Sequence, residues 1–417
     1  MKKLRLALSV LVGLVLIATM LGACDTGPKA ADPGKAPLKI GMTNPMTGVA
    51  AEKGKPMGAA NLDAIEYINN ELGGIDGHKI EVLSIDDGYD ATKANTAVKR
   101  FIDEGYLVFT TAASAMMTSM MESANRSQLS GIVAFSAANL TQPPQHIYGQ
   151  TPDYGDDWAA FAKYYMENIW KGKPGKPKMA LHLLNNSTGA GAKKAAEAKA
   201  AGMGIELVSI KEHTATTTSE IASLTEIKGL NPDVLYISST PAPTSVIIKN
   251  ARDLGMYPGI TIASGHAGIT KALVDLAGAD VVEGVYGVYP TVQWGENVPG
   301  MAKMTEYVKK NHPEYYNAET GQGNADYIVS WAQSLIVVEA LKLALKSVGG
   351  DATKLTPQIV EEQGIKKLKG YDVGGLHGPV TYTAGDNRLS KSVRVLQVKD
   401  GKIVPVTGWV EAPLIKY

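Results

Sequence analysis

A serine at the start of a methionine-rich segment is the first residue whose type and position favour ligand binding. Ser114 and Ala115 follow an apolar run that ends at Phe109, and they precede a segment of helical spacing with four methionines. The first turn of a helix leaves backbone N–H groups without partners, and with a serine hydroxyl these groups suit a carboxylate. The sequence therefore predicts an anion subsite at Ser114 and Ala115. Alternatively, Ser114 only caps the helix, and the methionines belong to the core or form an adaptable apolar wall.

Further loops carry hydroxyl, amide or imidazole groups directly after apolar, strand-like runs. The candidate ligand contacts in these loops are Ala138, Asn139, Thr188, Ser239, Thr240 and His266. The carboxyl ends of parallel strands meet at one edge of a sheet, where ligands of open α/β folds bind. We therefore predict that these residues form a polar rim around one ligand, although ordinary loop capping explains each of them as well. A neutral histidine supplies one donor and one acceptor but no fixed negative charge, and a solvent-facing loop is the alternative for His266.

We find no complete catalytic or metal-binding motif in the sequence. Its seven histidines show no metal-ligand spacing and no His-Glu-x-x-His pattern, and Gly-x-Ser-x-Gly is absent. The stretch from Gly48 to Lys55 resembles a phosphate loop but is one residue too long between its glycines, and a proline follows the lysine. We therefore expect no cofactor, no metal and no enzymatic activity. An exported α/β hydrolase, the enzymatic alternative, would need a nucleophile–base pair.

The N-terminus has the pattern of an export signal. Lys2, Lys3 and Arg5 precede an apolar run over residues 6–21. The run ends in Leu21-Gly22-Ala23-Cys24, which resembles a bacterial lipobox and contains the single cysteine of the chain. This resemblance implies that residues 1–23 are a lipoprotein signal peptide and that Cys24 carries the lipid, followed by a flexible tether over residues 24–37. The alternative, a membrane-anchor helix, fits less well because a span needs about 20 apolar residues.

The remaining chain alternates short apolar runs with segments of helical spacing, which predicts an α/β fold of mostly parallel sheets flanked by helices. Its 417 residues, of which 45% are apolar, suit two lobes. A formal net charge of zero excludes a nucleic-acid coat, and the composition excludes a disordered chain. Strands are predicted at 38–42, 80–85, 107–109, 132–135, 179–184, 205–210, 234–237, 260–263, 281–289, 380–383, 393–398 and 403–406. Asp400-Gly401 predicts a hairpin turn between the last two.

Four segments resemble the type I periplasmic binding proteins. They are Leu38-Lys39-Ile40-Gly41 leading to Asn44-Pro45-Met46-Thr47-Gly48, Glu71-Leu72-Gly73-Gly74-Ile75-Asp76-Gly77 leading to Asp86-Asp87, Gly131-Ile132-Val133-Ala134-Phe135-Ser136, and Asn231-Pro232-Asp233-Val234-Leu235-Tyr236. Their order and spacing are similar to those of the leucine/isoleucine/valine-binding proteins of ABC importers. The resemblance implies two lobes joined by three hinge crossovers, with lobe one at 38–151 and 287–383 and lobe two at 152–286 and 384–417.

The resemblance also implies a function and partners. Such a lipoprotein would be exported to the periplasm or to the outer face of the cytoplasmic membrane and held there by its N-terminal lipid. It would act as a monomer, close on a small-molecule ligand, and deliver that ligand to an ABC permease with its ATPase subunits, without contacting nucleic acid. The implied ligand is a branched-chain amino acid or a similar small carboxylate. The alternatives are a receptor for another carboxylate or amide, and a signalling ligand-binding domain.

His266 departs from the family pattern in a way that bears on the ligand. In the amino-acid-binding relatives, an acid near this position pairs with the α-ammonium of the ligand. Aromatic side chains of that family are also missing near Thr188 and Ser239. We therefore expect a ligand without an α-ammonium unless another acid compensates, and Asp153, Asp156 and Glu283 lie near the predicted crossovers.

Overall fold

The computed structural model of the protein describes residues 31, 32 and 34–416. The predicted signal peptide, Cys24 and most of the predicted tether lie outside these residues. Within them, two sheets covered by helices form two lobes, and this arrangement confirms the predicted fold class.

The strands of the described chain are short and mostly buried. In chain order they are β1 (Leu38–Asn44), β2 (Ile80–Asp86), β3 (Val108–Thr111), β4 (Gly131–Val133), β5 (Ile147–Gly149), β6 (Lys178–Leu184), β7 (Glu206–His213), β8 (Val234–Ser238), β9 (Thr261–Ser264), β10 (Tyr286–Tyr289), β11 (Tyr316–Asn317), β12 (Gln322–Gly323), β13 (Ser392–Lys399), β14 (Lys402–Pro405) and β15 (Val410–Glu411).

The α-helices fill the connections between these strands. They are α1 (Ala51–Glu71), α2 (Ala91–Asp103), α3 (Ser114–Arg126), α4 (Ala138–Thr141), α5 (Tyr154–Tyr164), α6 (Ser187–Lys199), α7 (Ile221–Gly229), α8 (Pro241–Asp253), α9 (Lys271–Ala277), α10 (Ala279–Val282), α11 (Met301–Asn311), α12 (Ala325–Ser347) and α13 (Pro357–Ile359). Short 3-10 or π-helical turns lie at Gly48–Ala50, Tyr165–Ile169, Pro313–Tyr315, Ala352–Lys354, Val360–Gly364 and Ile365–Lys367.

Each lobe is built on its own sheet. Lobe one has a fully parallel sheet in the order β2-β1-β3-β4-β5, and lobe two has the order β14-β13-β10-β9-β8-β6-β7 with β15 beside β13. The strands β6 to β10 pair in parallel, whereas β13 runs antiparallel to β10, β14 and β15. Asp400 and Gly401 form the turn between β13 and β14, both with positive φ, which confirms the predicted hairpin.

The longest helix belongs to the core of lobe one. Among the described residues, α12 alone is long and apolar enough to cross a membrane, but 72% of its most apolar 18-residue stretch is buried inside the protein. Its apolar residues Ile336, Val337 and Leu341 pack with Ile65 and Ile68 of α1. This burial on several sides explains why the helix is apolar nearly all round.

Two predicted strands are wrong in part. Residues 380–383 make only isolated bridges, from Val380 to Tyr371 and from Thr383 to Asp386, because successive residues bond to different segments and no continuous ladder forms. The segment predicted at 281–289 begins instead as α10. Gly284, with a φ of 83°, separates that helix from β10.

Three segments connect the lobes. One joins β5 to α5, one follows β10, and one precedes β13. The predicted boundaries at 287 and 384 both fall too early. β10 pairs with the second sheet as far as Tyr289, and the backbone of Leu389 still donates to Gly149 at the edge of the first sheet.

A buried arginine ties two of these crossovers together. The guanidinium of Arg388 lies 3.0 Å from both carboxylate oxygens of Asp156 and contacts Asp386 at 2.8 and 2.9 Å. Asp156 in turn forms a capping box with Asp153 at the start of α5. Burial raises the pKa of both capping-box carboxyls, and the guanidinium opposes that rise. The cluster therefore fixes the first turn of α5 against the third crossover.

We expect Arg388→Met to lower the free energy of unfolding by about 3–5 kcal/mol, because it leaves buried carboxylates without their cation. The matched control is Arg100→Met, since Arg100 pairs with Glu104 while its side chain is 54% exposed. That change should cost at most about 0.5 kcal/mol. Urea unfolding of the purified variants measures both losses, and equal losses would contradict the role assigned to Arg388.

Candidate functional site

A cavity lies between the lobes at the carboxyl ends of β1, β3 and β4 on one side and of β6, β8 and β9 on the other. The volume open to the centre of a water molecule is about 30 Å³, and about 390 Å³ is free of atoms when the solvent at the open mouth is included. Most of the lining is apolar or aromatic. The side chains with aromatic, hydroxyl or charged groups are Lys53, Tyr89, Ser114 and Phe135 from lobe one, and Tyr154, Thr188 and Thr240 from lobe two.

Ser114 lies in this cavity at the first position of α3. Its hydroxyl is 3.2 Å from the Tyr154 hydroxyl and 3.0 Å from that of Ser187, so it reaches across the cleft to lobe two. The N-cap residue is Ala113, which has no capping side chain, so the alternative of Ser114 as a helix cap is wrong. The N–H groups of this first turn therefore lack a side-chain cap, and that arrangement suits an anion.

Two further helices begin at the cavity. Thr188 lies in the first turn of α6, and Thr240 is the N-cap residue of α8 without a side-chain capping bond. Both threonines line the cavity, as does Ser114 at the start of α3. The three helix N-termini that meet here each carry a partial positive charge, although at α6 the side chain of Asn186 already accepts the N–H of Thr188. The cavity is therefore suited to a negatively charged group.

The other five candidate residues do not line this cavity; His266 lies directly behind its lining, and four lie in other surroundings. Ala115 is not part of the lining and packs against the core, and Ser239 is buried with its hydroxyl 2.7 Å from Nε2 of His213. Ala138 and Asn139 lie in a separate groove beside α6, because the short helix α4 turns them outward. Asn139 is exposed there and donates to Thr118.

His266 lies behind the lining and is fully buried, so the solvent-facing alternative is wrong. Its ring packs against Phe135, with centroids 4.8 Å apart, and against Tyr154, with centroids 4.7 Å apart. Its Nδ1 is 2.6 Å from Oδ2 of Asp157, which also accepts the backbone N–H of His266 at 3.1 Å. The side-chain contact has the length of a hydrogen bond but not its angles, so we treat it as an electrostatic contact.

The acid beside His266 is therefore Asp157, which is not one of the three suggested by the sequence. Asp153 and Asp156 are held by the capping box and by Arg388, and Glu283 is exposed. Asp153, Asp156 and Asp157 all lie at the start of α5. They have different partners because their side chains lie on different faces of the helix.

A buried ion pair that the sequence did not reveal lies at the cavity wall. Lys53 in α1 pairs with Asp326 in α12, and Tyr289 donates to the same carboxylate at 2.8 Å. Burial lowers the pKa of Lys53 and raises that of Asp326, while each partner opposes the shift of the other. Lys53 lies four residues before Met57, so it falls on the same apolar face of α1. A lysine on an apolar helix face is the signal in the sequence that could have indicated a buried ion pair. Within the described residues, no group of three or more His, Cys, Asp or Glu side chains could hold a metal ion.

Ser239 belongs instead to a buried histidine network in lobe two. His182 in β6 and His213 in β7 approach each other at 2.9 Å through their Nδ1 atoms. The outer nitrogens contact Ser223 at 2.9 Å and Ser239 at 2.7 Å. Burial lowers the pKa of each histidine to about 4. The pair is therefore neutral in the folded protein near pH 7.

Residues 37–402 match the sequence model of a family described as periplasmic binding protein. A branched-chain amino acid ABC transporter from Thermus thermophilus with bound valine has a TM-score of 0.80 at 21% identity, covering 91% of this chain and 98% of that chain. A fatty acid ABC transporter substrate-binding protein from Thermomonospora curvata has a TM-score of 0.79 at 19% identity, covering 94% and 96%. A branched-chain amino acid transporter substrate-binding protein from Streptococcus pneumoniae with isoleucine has a TM-score of 0.73 at 18% identity, covering 90% and 99%. These likenesses show a shared fold, and no curated protein matches.

The histidine pair predicts that acid destabilises the protein. The unfolded histidines take up protons below about pH 6.5 while the folded ones do so only near pH 4, so their contribution is complete above pH 6.5 and is lost toward pH 4. We expect the free energy of unfolding to fall by about 3–4 kcal/mol between pH 7 and pH 5 through this pair. The double variant His182→Gln/His213→Gln should lose this part of the slope and keep the part due to His377, whose pKa burial also lowers to about 4, whereas His312→Gln should keep the whole slope. Identical slopes in urea unfolding of all three proteins would show that the pair is not responsible.

Proposed function

Because the chain belongs to the periplasmic binding protein family, we propose that it is the extracytoplasmic solute-binding protein of an ABC importer. It captures a small carboxylate with an apolar body by closing its two lobes, and delivers that ligand to a permease with ATPase subunits. Its family and its structural neighbours are solute-binding proteins. The cavity between the lobes supports the same role for this chain.

The charge of the cavity lining carries the choice of ligand. The described lining contains one cation, Lys53, and three helix N-termini, but no carboxylate. The acid beside His266 is Asp157, and it is fully buried against that imidazole. A ligand carboxylate therefore meets the positive ends of three helices, whereas an α-ammonium in the same cavity meets no free anion. Lys53 is itself paired with Asp326, so this pair adds little net charge. Burial of an unpaired charge is costly.

The apolar part of the lining fits the remainder of such a ligand. Phe135, Tyr89 and Tyr154 supply ring faces, and Met57 supplies an adaptable thioether. The name of the Thermomonospora curvata neighbour also gives an acid without an α-ammonium as its ligand. The branched-chain amino acids named for the other two neighbours are the competing ligand class. A comparison of leucine with its oxo acid separates these two ligand classes.

The N-terminal sequence supports the proposed location. Residues 1–23 would direct export, and Cys24 would hold the mature protein, as a monomer, at the outer face of the cytoplasmic membrane or in the periplasm. Residues 24–37 would then let the two lobes reach a permease in the same membrane.

We expect 4-methyl-2-oxopentanoate to bind more tightly than leucine by roughly two to three orders of magnitude. The two compounds share the carboxylate and the apolar body and differ at the α-position, where only leucine carries an ammonium. Isothermal titration calorimetry on protein stripped of bound ligand measures both affinities. Tight binding of leucine together with no binding of the oxo acid would refute the ligand class while leaving the receptor role intact.

Two variants test whether this binding occurs in the cavity. Ser114→Ala removes a hydroxyl at the start of α3 and should weaken binding of the oxo acid about tenfold or more, as expected for a hydrogen bond to a charged group. Asn139→Ala changes the separate groove and should leave the affinity within about twofold. Equal effects of the two substitutions would place the ligand elsewhere.

We expect Cys24→Ala to release the protein from membranes, because the acyl chains supply nearly all of the attachment. Fractionation of producing cells and mass spectrometry of the N-terminal peptide measure the release and the lipid. Membrane association of a Cys24→Ala protein that has lost residues 1–23 would exclude a lipid anchor at this residue.

A further inference from the structure

The two lobes meet across the cleft through polar pairs, apolar packing and two ring contacts, one of which is an edge contact of Phe135 with Tyr289 at the second crossover, with centroids 6.5 Å apart. Asn186 donates to the Tyr89 hydroxyl at 3.1 Å, and Ser114 meets Ser187 at 3.0 Å. The closer ring contact, which is stacked, joins His266 of lobe two to Phe135 of lobe one, with planes inclined by 25°. Water replaces polar partners at little net cost when a cleft opens, but separation of two ring faces exposes apolar area. The stacked ring contact therefore favours closure more strongly than the polar pairs do.

The first turn of α5 holds His266 in one position. Tyr154 and Asp157 are three residues apart, so both side chains lie on one face of the helix. The tyrosine ring packs against the imidazole, while the carboxylate contacts both its Nδ1 and its backbone N–H. Because all of these groups are buried, the imidazole is fixed to lobe two.

Phe135 is fixed in the same way on lobe one. The ammonium of Lys53 lies 4.1 Å from the centre of its ring, within the range of a cation–π contact. Lys53 is itself held by Asp326 of α12. Two rings that are each immobile on their own lobe can stack at only one angle between the lobes.

We propose that His266 is a positioning residue that latches the lobes in the closed arrangement and acts on the ligand through Phe135 and Tyr154. Both of these rings line the cavity, whereas His266 lies behind them. The latch raises the closed population of the ligand-free protein and slows release of the ligand once it is bound. The slower release of ligand rests on the proposed function, whereas the larger closed population of the ligand-free protein does not.

The test compares variants that separate the ring from the polar group. His266→Asn keeps a partner for Asp157 but removes the ring, and His266→Phe keeps a ring but loses the contact with Asp157. Phe135→Leu removes the same stacking from lobe one, so the test survives if His266→Asn does not fold. The matched control is Phe161→Leu, because Phe161 packs on Tyr165 and Tyr236 entirely within lobe two.

Single-molecule energy transfer reports the closed fraction. Dyes are attached through Lys99→Cys on lobe one and Lys199→Cys on lobe two, both exposed, in full-length protein that also carries Cys24→Ser. Without ligand, His266→Asn and Phe135→Leu should each reduce the ratio of closed to open molecules roughly threefold to tenfold, as expected for loss of one aromatic pair. His266→Phe should restore the ratio to within about twofold of the wild type, and Phe161→Leu should leave it unchanged.

Stopped-flow measurements with 4-methyl-2-oxopentanoate report the second effect. The dissociation rate should rise roughly threefold to tenfold in His266→Asn, with little change in the association rate. An unchanged closed fraction in both His266→Asn and Phe135→Leu, or a wild type with no detectable closed population, would overturn the latch. If neither the oxo acid nor leucine binds the wild type, the proposed function fails, while the closed fraction still decides the latch.

Discussion

The ion cluster around Arg388 is the interaction on which the arrangement of the two lobes depends. It joins the start of α5 to the crossover that leads into β13, and so it sets where the two sheets stand relative to each other. Burying these charges is expensive, and the cost is offset only because the contacts to Asp156 and Asp386 are well formed. Asp153 and Asp156 face this cluster, whereas Tyr154 and Asp157 of the same turn face His266. One helical turn therefore connects the hinge to the wall of the cavity.

The alternating pattern of the sequence predicts the positions of most strands because it depends on local periodicity alone. Parallel strands then bring the residues after their carboxyl ends together, which is why Thr188 and Thr240 could be placed near Ser114. The same reasoning fails for Asn139, since α4 turns it outward, and for Ser239, whose neighbour Thr240 faces the cavity instead. A rule based on strand ends cannot choose between adjacent residues of a loop.

Contacts between distant parts of the chain were beyond such reasoning. Lys53 and Asp326 belong to two helices that pack against each other only in the folded protein. Asp157 could not be distinguished from Asp153 and Asp156 without knowing which face of α5 turns toward β9. In each case the missing information is the rotation of a helix about its axis, which the packing of the whole lobe determines.

The interrupted course of the chain also affects the order in which the protein can fold. In lobe two, β10 pairs with β13, which comes about 100 residues later in the chain. In lobe one, α1 packs against α12, which is also distant in sequence. Each lobe therefore lacks a packing partner until these C-terminal segments have been synthesised. A nascent chain that stops before Ser392 presents β10 as an open sheet edge with unpaired backbone groups. Contacts of such long sequence separation slow folding. The core of lobe one includes Leu389 and that of lobe two includes Ile415, so neither lobe can complete its core until synthesis has passed these residues.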